Sequence, residues 1–176
     1  YYNNPEDTAK VLSADGWLNT GDLGVMTYDR ALAIVGRIKD TIVLSDGENI
    51  EPVPIEKHLA YSHFIDTAVV VGQDQKHLGA LIVPEFTNLK DYAKENGIEF
   101  KGIEDLIQVP AIKSLYRKEI DEAVSHHHGF KAFEHIHDFI LLTKVFEVPK
   151  ELSAKQELKR TEVSKIYEKE IKSIFE

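Results

Sequence analysis

Two apolar runs rich in β-branched residues, TAVVVG at 67–72 and LGALIVPEF at 78–86, enclose the short polar connection QDQKH. Such side chains pack well on a pleated surface and lose rotamer freedom in a helix, so both runs are predicted as strands. DFILL, from Asp138, supplies a further strand. Helical spacing lies between and beyond these runs. Ile55, His58 and Leu59 follow Pro54, where a helix is expected to begin. Asn88 with Asp91 reads as a variant capping box, Leu89, Tyr92 and Ala93 face inward, and Asn96-Gly97 ends that helix. After Pro110 the stripe Ile112, Leu115, Tyr116, Ile120 and Ala123 marks a longer helix. A last helix is expected from about Thr161, burying Val163, Ile166, Tyr167, Ile171 and Ile174 or Phe175. Strands and helices do not alternate in a regular βαβ rhythm. The expected class is therefore α+β, a small mixed or antiparallel sheet with helices packed on it.

The first part of the chain has a different texture. It opens on YYNNPEDTAKVLSADGW with no apolar strand ahead of it, as though cut from something larger. LGVMTY and ALAIVGR flank Asp29-Arg30 and read as a hairpin, and TIVL with the turn SDGEN makes a second hairpin-like unit. The expected boundary falls near Arg37 to Asp40, dividing 1–38 from 39–176.

Composition narrows the function. With 30 acidic against 21 basic residues the chain carries a net charge of −9, which argues against coating nucleic acid. It does not argue against a small anionic ligand, since a local pair of cations binds a phosphate on an acidic protein. No cysteine is present, so disulfides, thiolate catalysis and Cys-ligated zinc are all excluded. A reducing cytoplasm is the expected compartment. No apolar run has the ~20 residues that span a bilayer.

NTGDLG presents Asp22 after a glycine that lets the backbone turn sharply. A carboxylate accepts two hydroxyl hydrogen bonds, as a ribose with free 2′ and 3′ hydroxyls would offer; it equally serves as a turn residue bonding its own backbone. GRIKD follows after about one hairpin's length, which returns Arg37 towards Asp22. The two residues read either as a plain ion pair or as a grip on a nucleotide's ribose and phosphate.

GWLNTGDLG, then GRIKDTIVLSDGENIEPVPIE, then ELSAKQELKR together resemble the last part of the adenylate-forming acyl-CoA synthetases, most closely the long-chain fatty acid CoA ligases. The resemblance covers essentially the whole chain. It implies a two-step reaction, in which ATP and a carboxylate give an acyl-adenylate and coenzyme A then displaces AMP to form a thioester. It implies that 1–38 ends a large N-terminal domain and that 39–176 is a small mobile C-terminal domain. No Gly-rich Ser/Thr phosphate loop occurs in the sequence, so the isolated chain is expected to be inactive, and magnesium, expected with ATP, would be held by the missing domain. The implied partners are a fatty acid or other carboxylate and the chain's own N-terminal domain. Peripheral membrane contact stays open.

By the same resemblance Asp22 binds the ribose hydroxyls of ATP or AMP, Arg37 adds a second contact, Lys39 is the hinge, and Gly47 lines the channel to the coenzyme A thiol. The closing segment departs from the family. Relatives usually carry a lysine three residues before an arginine, and that lysine reaches the α-phosphate and carboxylate; counting back from Arg160 places Glu157 there. A carboxylate would repel the charge that develops. Three readings stand side by side: Lys155 or Lys159 substitutes, the enzyme adenylates poorly or uses another group, or the register differs, because the motif is short and lacks the glycine many relatives carry. A different class also accommodates Glu157, namely a non-catalytic domain that binds AMP or a partner protein.

His126, His127 and His128 are consecutive, a spacing that does not converge on one ion, and no metal site is expected. Lys155, Lys159, Arg160, Lys165, Lys169 and Lys172 alternate with glutamates as a solvated helix face does.

Overall fold

The computed structural model describes all residues, 1–176. They form two compact units, Tyr1–Thr41 and Ile42–Glu176.

In the first unit, helix α1 (Pro5–Val11) starts as Pro5 and the acidic Glu6 and Asp7 require, with the Asn4 side chain accepting from the Asp7 amide at 3.0 Å. Strands β1 (Asp22–Met26) and β2 (Leu32–Arg37) form the expected hairpin, and a 3₁₀ turn over Ile38–Asp40 follows. Gly36 is the one residue of this unit that is buried. Trp17, Val25, Met26, Leu32 and Ile34 are all exposed by more than half, so the hairpin has no core of its own.

The second unit carries the α+β architecture. A short ladder pairs β3 (Ile42–Val43) with β4 (Asn49–Ile50), and helix α2 (Pro52–Leu59) follows. The central sheet has the order β5 (Ile65–Val71), β6 (Leu78–Pro84), β7 (Ile136–Leu141). β5 and β6 are antiparallel, while β7 lies parallel to β6. Between β6 and β7 run α3 (Phe86–Glu95), α4 (Ile103–Leu106) and α5 (Pro110–Ala123). The chain ends in α6 (Arg160–Ile166) and α7 (Glu168–Ile174). No helix is long and apolar enough to cross a membrane.

The continuous apolar run of β6 is explained by burial on both faces. Leu78, Ala80 and Ile82 point into a core with Ile55, Leu59, Leu89, Ile112, Tyr116 and Ile120. Leu81 and Val83 face the other way, to Val163, Ile174 and Phe146. Gly79 lies on that second side, where a Cβ would collide with Ile174 Cγ2 and stand 3.2 Å from Phe175 Cζ. Period-2 alternation thus divides the core into two layers, with α2 to α5 on one face and α6 and α7 on the other.

Three local expectations are corrected. α2 begins at Pro52, two residues earlier than the Pro54 start, because a proline at the first helical position loses no hydrogen bond. Asn88 does not cap α3: the N-cap is Glu85, whose carboxylate accepts from the Asn88 amide at 2.8 Å, and the Asn88 side chain donates to His63 O instead. The last helix is two helices broken at Tyr167, which leaves Ile166 48% exposed rather than buried.

Candidate functional site

Asp22 and Arg37 are directly opposite in the β1–β2 register, which brings the two side chains within reach across the ladder. Arg37 Nε donates to Asp22 Oδ1 at 3.1 Å. The pair is open to solvent, with side-chain exposures of 53% for Arg37 and 34% for Asp22. Asp22 Oδ2 has no protein partner, and no other bond engages the remaining Arg37 nitrogens. An exposed pair contributes only about 0–1 kcal/mol, so stability gives little reason for it. The loop before it is preset: Gly21 sits at φ +73°, the Gly21 amide donates to Asn19 Oδ1 at 2.9 Å, and the Asp22 amide donates to Thr20 Oγ1 at 3.2 Å. Asp22 itself is therefore not an Asx turn; Asn19 and Thr20 form the side-chain turns and leave its carboxylate to face outward.

Lys39 is exposed in the middle of the 3₁₀ turn Ile38–Asp40 that ends the first unit. Gly47 is exposed at the tip of the β3–β4 hairpin, closed by Gly47 N to Leu44 O at 2.9 Å. Its φ of +92° is costly for any side chain, while the space a Cβ would fill is open. The glycine is thus required by the turn itself, in addition to any close approach of a ligand.

Lys155 and Glu157 share one loop, and Lys159 follows it as the N-cap of α6. Leu152 and Leu158 bridge antiparallel and close its base. Inside it, Ser153 N donates to Glu157 O at 2.8 Å, and Ser153 Oγ accepts from the amides of Lys155 at 3.2 Å and Glu157 at 3.1 Å. Gln156 adopts φ +61°, a left-handed position that glycine fills most cheaply. Ala154 and Lys155 make the exposed turn, and no ion pair holds the Lys155 ammonium. Lys159, by contrast, donates through Nζ to Pro149 O at 2.9 Å, and Arg160 turns inward to Glu56. The loop therefore leaves Lys155 as the cation free to move, beside an exposed Glu157.

Beneath this loop sits Glu151, the one buried charged residue, at 6% exposure. Its carboxylate accepts from Glu147 N at 2.9 Å and from Tyr167 OH at 3.3 Å. Burial, reinforced by the Glu151 charge, pushes the Tyr167 hydroxyl up to about 12. Ser153, Glu151 and Glu56 escape the sequence reading. Ser153 was the legible one, because a serine ahead of a short polar stretch is a common local capping group.

The histidines form contacts without forming a metal cluster. His126 lies 4.8 Å from His135 and His128 lies 5.5 Å from His58, between ring centroids. His126–His128 make a separate 3₁₀ turn after α5.

Residues 39–176 match the family described as the AMP-binding enzyme C-terminal domain. A long-chain-fatty-acid–CoA ligase of Rattus norvegicus is 30% identical over 178 residues, covering 100% of this chain and 26% of that protein. A chloroplastic long-chain-fatty-acid–[acyl-carrier-protein] ligase of Arabidopsis thaliana is 45% identical over 94 residues, covering 48% of this chain and 13% of that protein. The A domain of a carboxylic acid reductase from Segniliparus rugosus, solved with AMP and a co-purified carboxylic acid, superposes with a TM-score of 0.81 at 25% identity, covering 99% of this chain and 26% of that one. The chain thus spans about a quarter or less of these proteins. It belongs to the family described as the AMP-binding enzyme C-terminal domain.

Proposed function

We propose that this chain is the hinge-bearing C-terminal portion of an AMP-forming acid–thiol ligase that activates a long-chain fatty acid with ATP and passes the acyl group to coenzyme A. The observation that carries the proposal is the exposed Asp22–Arg37 pair, followed directly by the Lys39 turn where the family match begins. A carboxylate with one free oxygen suits vicinal ribose hydroxyls, and an arginine with unused N–H groups suits a phosphate. AMP in a relative's structure supports the nucleotide, and the relatives' names support the fatty acid. Similarity to an acyl-carrier-protein ligase supports a second acceptor, so both thiols belong in the assay.

In this reading residues 1–38 end a large N-terminal domain, whose remainder would cover the apolar side chains the hairpin exposes. That domain supplies the phosphate loop and the magnesium, so the isolated chain catalyses nothing. Lys39 belongs to a hinge because an exposed 3₁₀ turn can change its torsions without breaking a core. Gly47 lines the thiol channel. Lys155 supplies the cation that Glu157 cannot, since Lys159 is held by the Pro149 carbonyl. ATP and AMP supply the adenylyl group; this chain's own residues orient the ribose and place positive charge near the carboxylate. The compartment consistent with a cysteine-free chain is the cytoplasm.

The exposed Glu157 favours a second reading, a non-catalytic domain that binds AMP or a partner. Joining the chain to its upstream region and measuring AMP affinity beside acyl-CoA formation separates the two. Both activities are expected; AMP binding without any thioester, with either acceptor, supports the second reading.

A further inference from the structure

A cavity of about 410 Å³ opens between the start of β7, the connection before β6 and one face of α5. Lys76, His77, Arg117, His135 and His137 line it, with Asp121 as its one acidic wall residue. Two nitrogens of this wall are buried without a hydrogen-bond partner, Arg117 Nε and His135 Nε2. Buried polar atoms are nearly always paired, so two orphans on residues that line one cavity ask for an explanation. The rest of the Arg117 guanidinium is engaged: Nη1 donates to His137 O at 3.1 Å, and Nη2 donates to Ile136 O at 2.9 Å and to Asp121 Oδ1 at 2.6 Å. Arg117 is thereby fixed, with Nε–H and one Nη1–H unused. His77 and His137 approach within 4.2 Å between ring centroids, and His77 also meets the Phe175 ring at 5.6 Å.

We propose that this cavity is a pH-dependent binding site for a phosphate group, free or as a phosphate monoester, held by Lys76, Arg117 and the imidazoles of His77, His135 and His137. Arginine and lysine are persistent donors, whereas an imidazole becomes a double donor only when it takes up a proton. The other charges facing the histidines are few. Asp121 on α5 is already taken by Arg117, Asp138 on β7 favours the charged form of His77, and Lys76 opposes it. From the turn at 132–134, Glu134 points back to the Lys131 amide, and His126 stands beside His135. Burial, with His137 beside it, holds His77 below the usual imidazole range, so an empty cavity resists charging. A bound phosphate dianion reverses that balance: counted per dianion, binding takes up protons and tightens as the pH falls, while the ligand's own second ionisation, at about 6 for a monoester, acts in the opposite direction. The proposal is independent of the adenylation reading, because it invokes no residue assigned to that reaction.

The test titrates inorganic phosphate, and separately glycerol phosphate, into the 176-residue chain at constant ionic strength set with chloride, following the histidine side chains by NMR. The expected result is saturable binding whose affinity, counted per phosphate dianion, strengthens about tenfold for each proton taken up per pH unit between about 7.5 and 6, with the His77 and His137 resonances moving together. Lys76→Ala alters only an exposed side chain and is expected to weaken binding about tenfold; His137→Gln is expected to flatten the pH dependence. Tighter binding of glycerol phosphate than of inorganic phosphate identifies an organic monoester as the preferred form, and the reverse order identifies free phosphate. No saturable binding at the lower pH, or binding unchanged in both variants, overturns the proposal.

Discussion

Arg160 and Glu56, 104 residues apart in the chain, form an ion pair at 2.5 Å that ties the start of α6 to α2. Their side chains are only 17% and 14% exposed. Glu56 also accepts from the Val70 amide through Oε1 at 2.8 Å, and Arg160 Nη1 lies 3.4 Å from Val70 O. The arginine thus anchors the C-terminal end of the Leu152–Leu158 loop to the edge of the sheet. Removing one partner leaves the other charged and desolvated. Arg160→Ala is expected to destabilise the chain by about 3 kcal/mol, the low end for a buried pair, and the paired replacement Arg160→Met with Glu56→Leu by clearly less. Denaturant midpoints of the two variants check this; equal losses would show that the pair matters by packing and not by charge.

Gln156 provides a test of the loop's backbone. A left-handed φ costs a side-chain-bearing residue about 1–3 kcal/mol, while glycine in ordinary backbone is itself unfavourable by about 0.5–1 kcal/mol. Gln156→Gly is therefore expected to stabilise the chain by about 0.5–1 kcal/mol in urea unfolding, and Gln156→Ala to leave it unchanged. A destabilising glycine would mean that the loop is not left-handed there.

Gly79 reports on the seat of α7. A methyl group at this position collides with the Ile174 side chain and crowds the Phe175 ring. Gly79→Ala is expected to lose about 1–3 kcal/mol, as overpacked cores do. Hydrogen exchange in α7 should accelerate more than in α2, and equal protection in both helices would contradict the packing described.

His77 sets a pH dependence. Its pKa is held below the ordinary imidazole value of 6.5 by burial, so the unfolded chain binds more protons than the folded one as the pH drops through that value. In phosphate-free buffer the stabilising contribution is complete above 6.5 and is lost as the pH falls towards the folded value. Tyr167 acts at the other end. With its hydroxyl raised from 10.0 to about 12, its contribution holds below 10.0 and disappears as the pH rises through the folded value. Unfolding midpoints across pH should flatten on the acid side in His77→Gln and on the alkaline side in Tyr167→Phe.

How much of this was legible in the sequence depends on the range of the interaction. The three strands of the central sheet, the first hairpin and the meeting of Asp22 with Arg37 follow from side-chain periodicity and from a connection too short to do anything else. The helix starts at Pro52 and Phe86 were harder to read, because two prolines compete at the first and Glu85 reaches its cap through a side chain that resembles any surface glutamate. The break at Tyr167 left no mark in the apolar spacing; what orders that residue is Glu151, sixteen positions away. The candidate loop was legible in its cations but not in their states. That Lys159 is tied to Pro149 while Lys155 is free depends on how the chain before it folds back, which no local pattern records.

The distinction between the two lysines carries over to activity. In the protein completed with its upstream region, Lys155→Ala is expected to lower acyl-adenylate formation about a hundredfold, the cost of one charge-stabilising donor, with Lys159→Ala affecting mainly loop stability. Glu157→Lys should raise the rate. Equal effects of the two alanine variants would remove the special role given to Lys155.

Carboxylate-dependent ATP–pyrophosphate exchange in that completed protein tests the central claim most directly. With a long-chain fatty acid present, exchange is expected, and it should fall sharply in Asp22→Ala while the isolated chain shows none. Absence of exchange with every fatty acid supplied, in a protein that still binds AMP, would contradict the account.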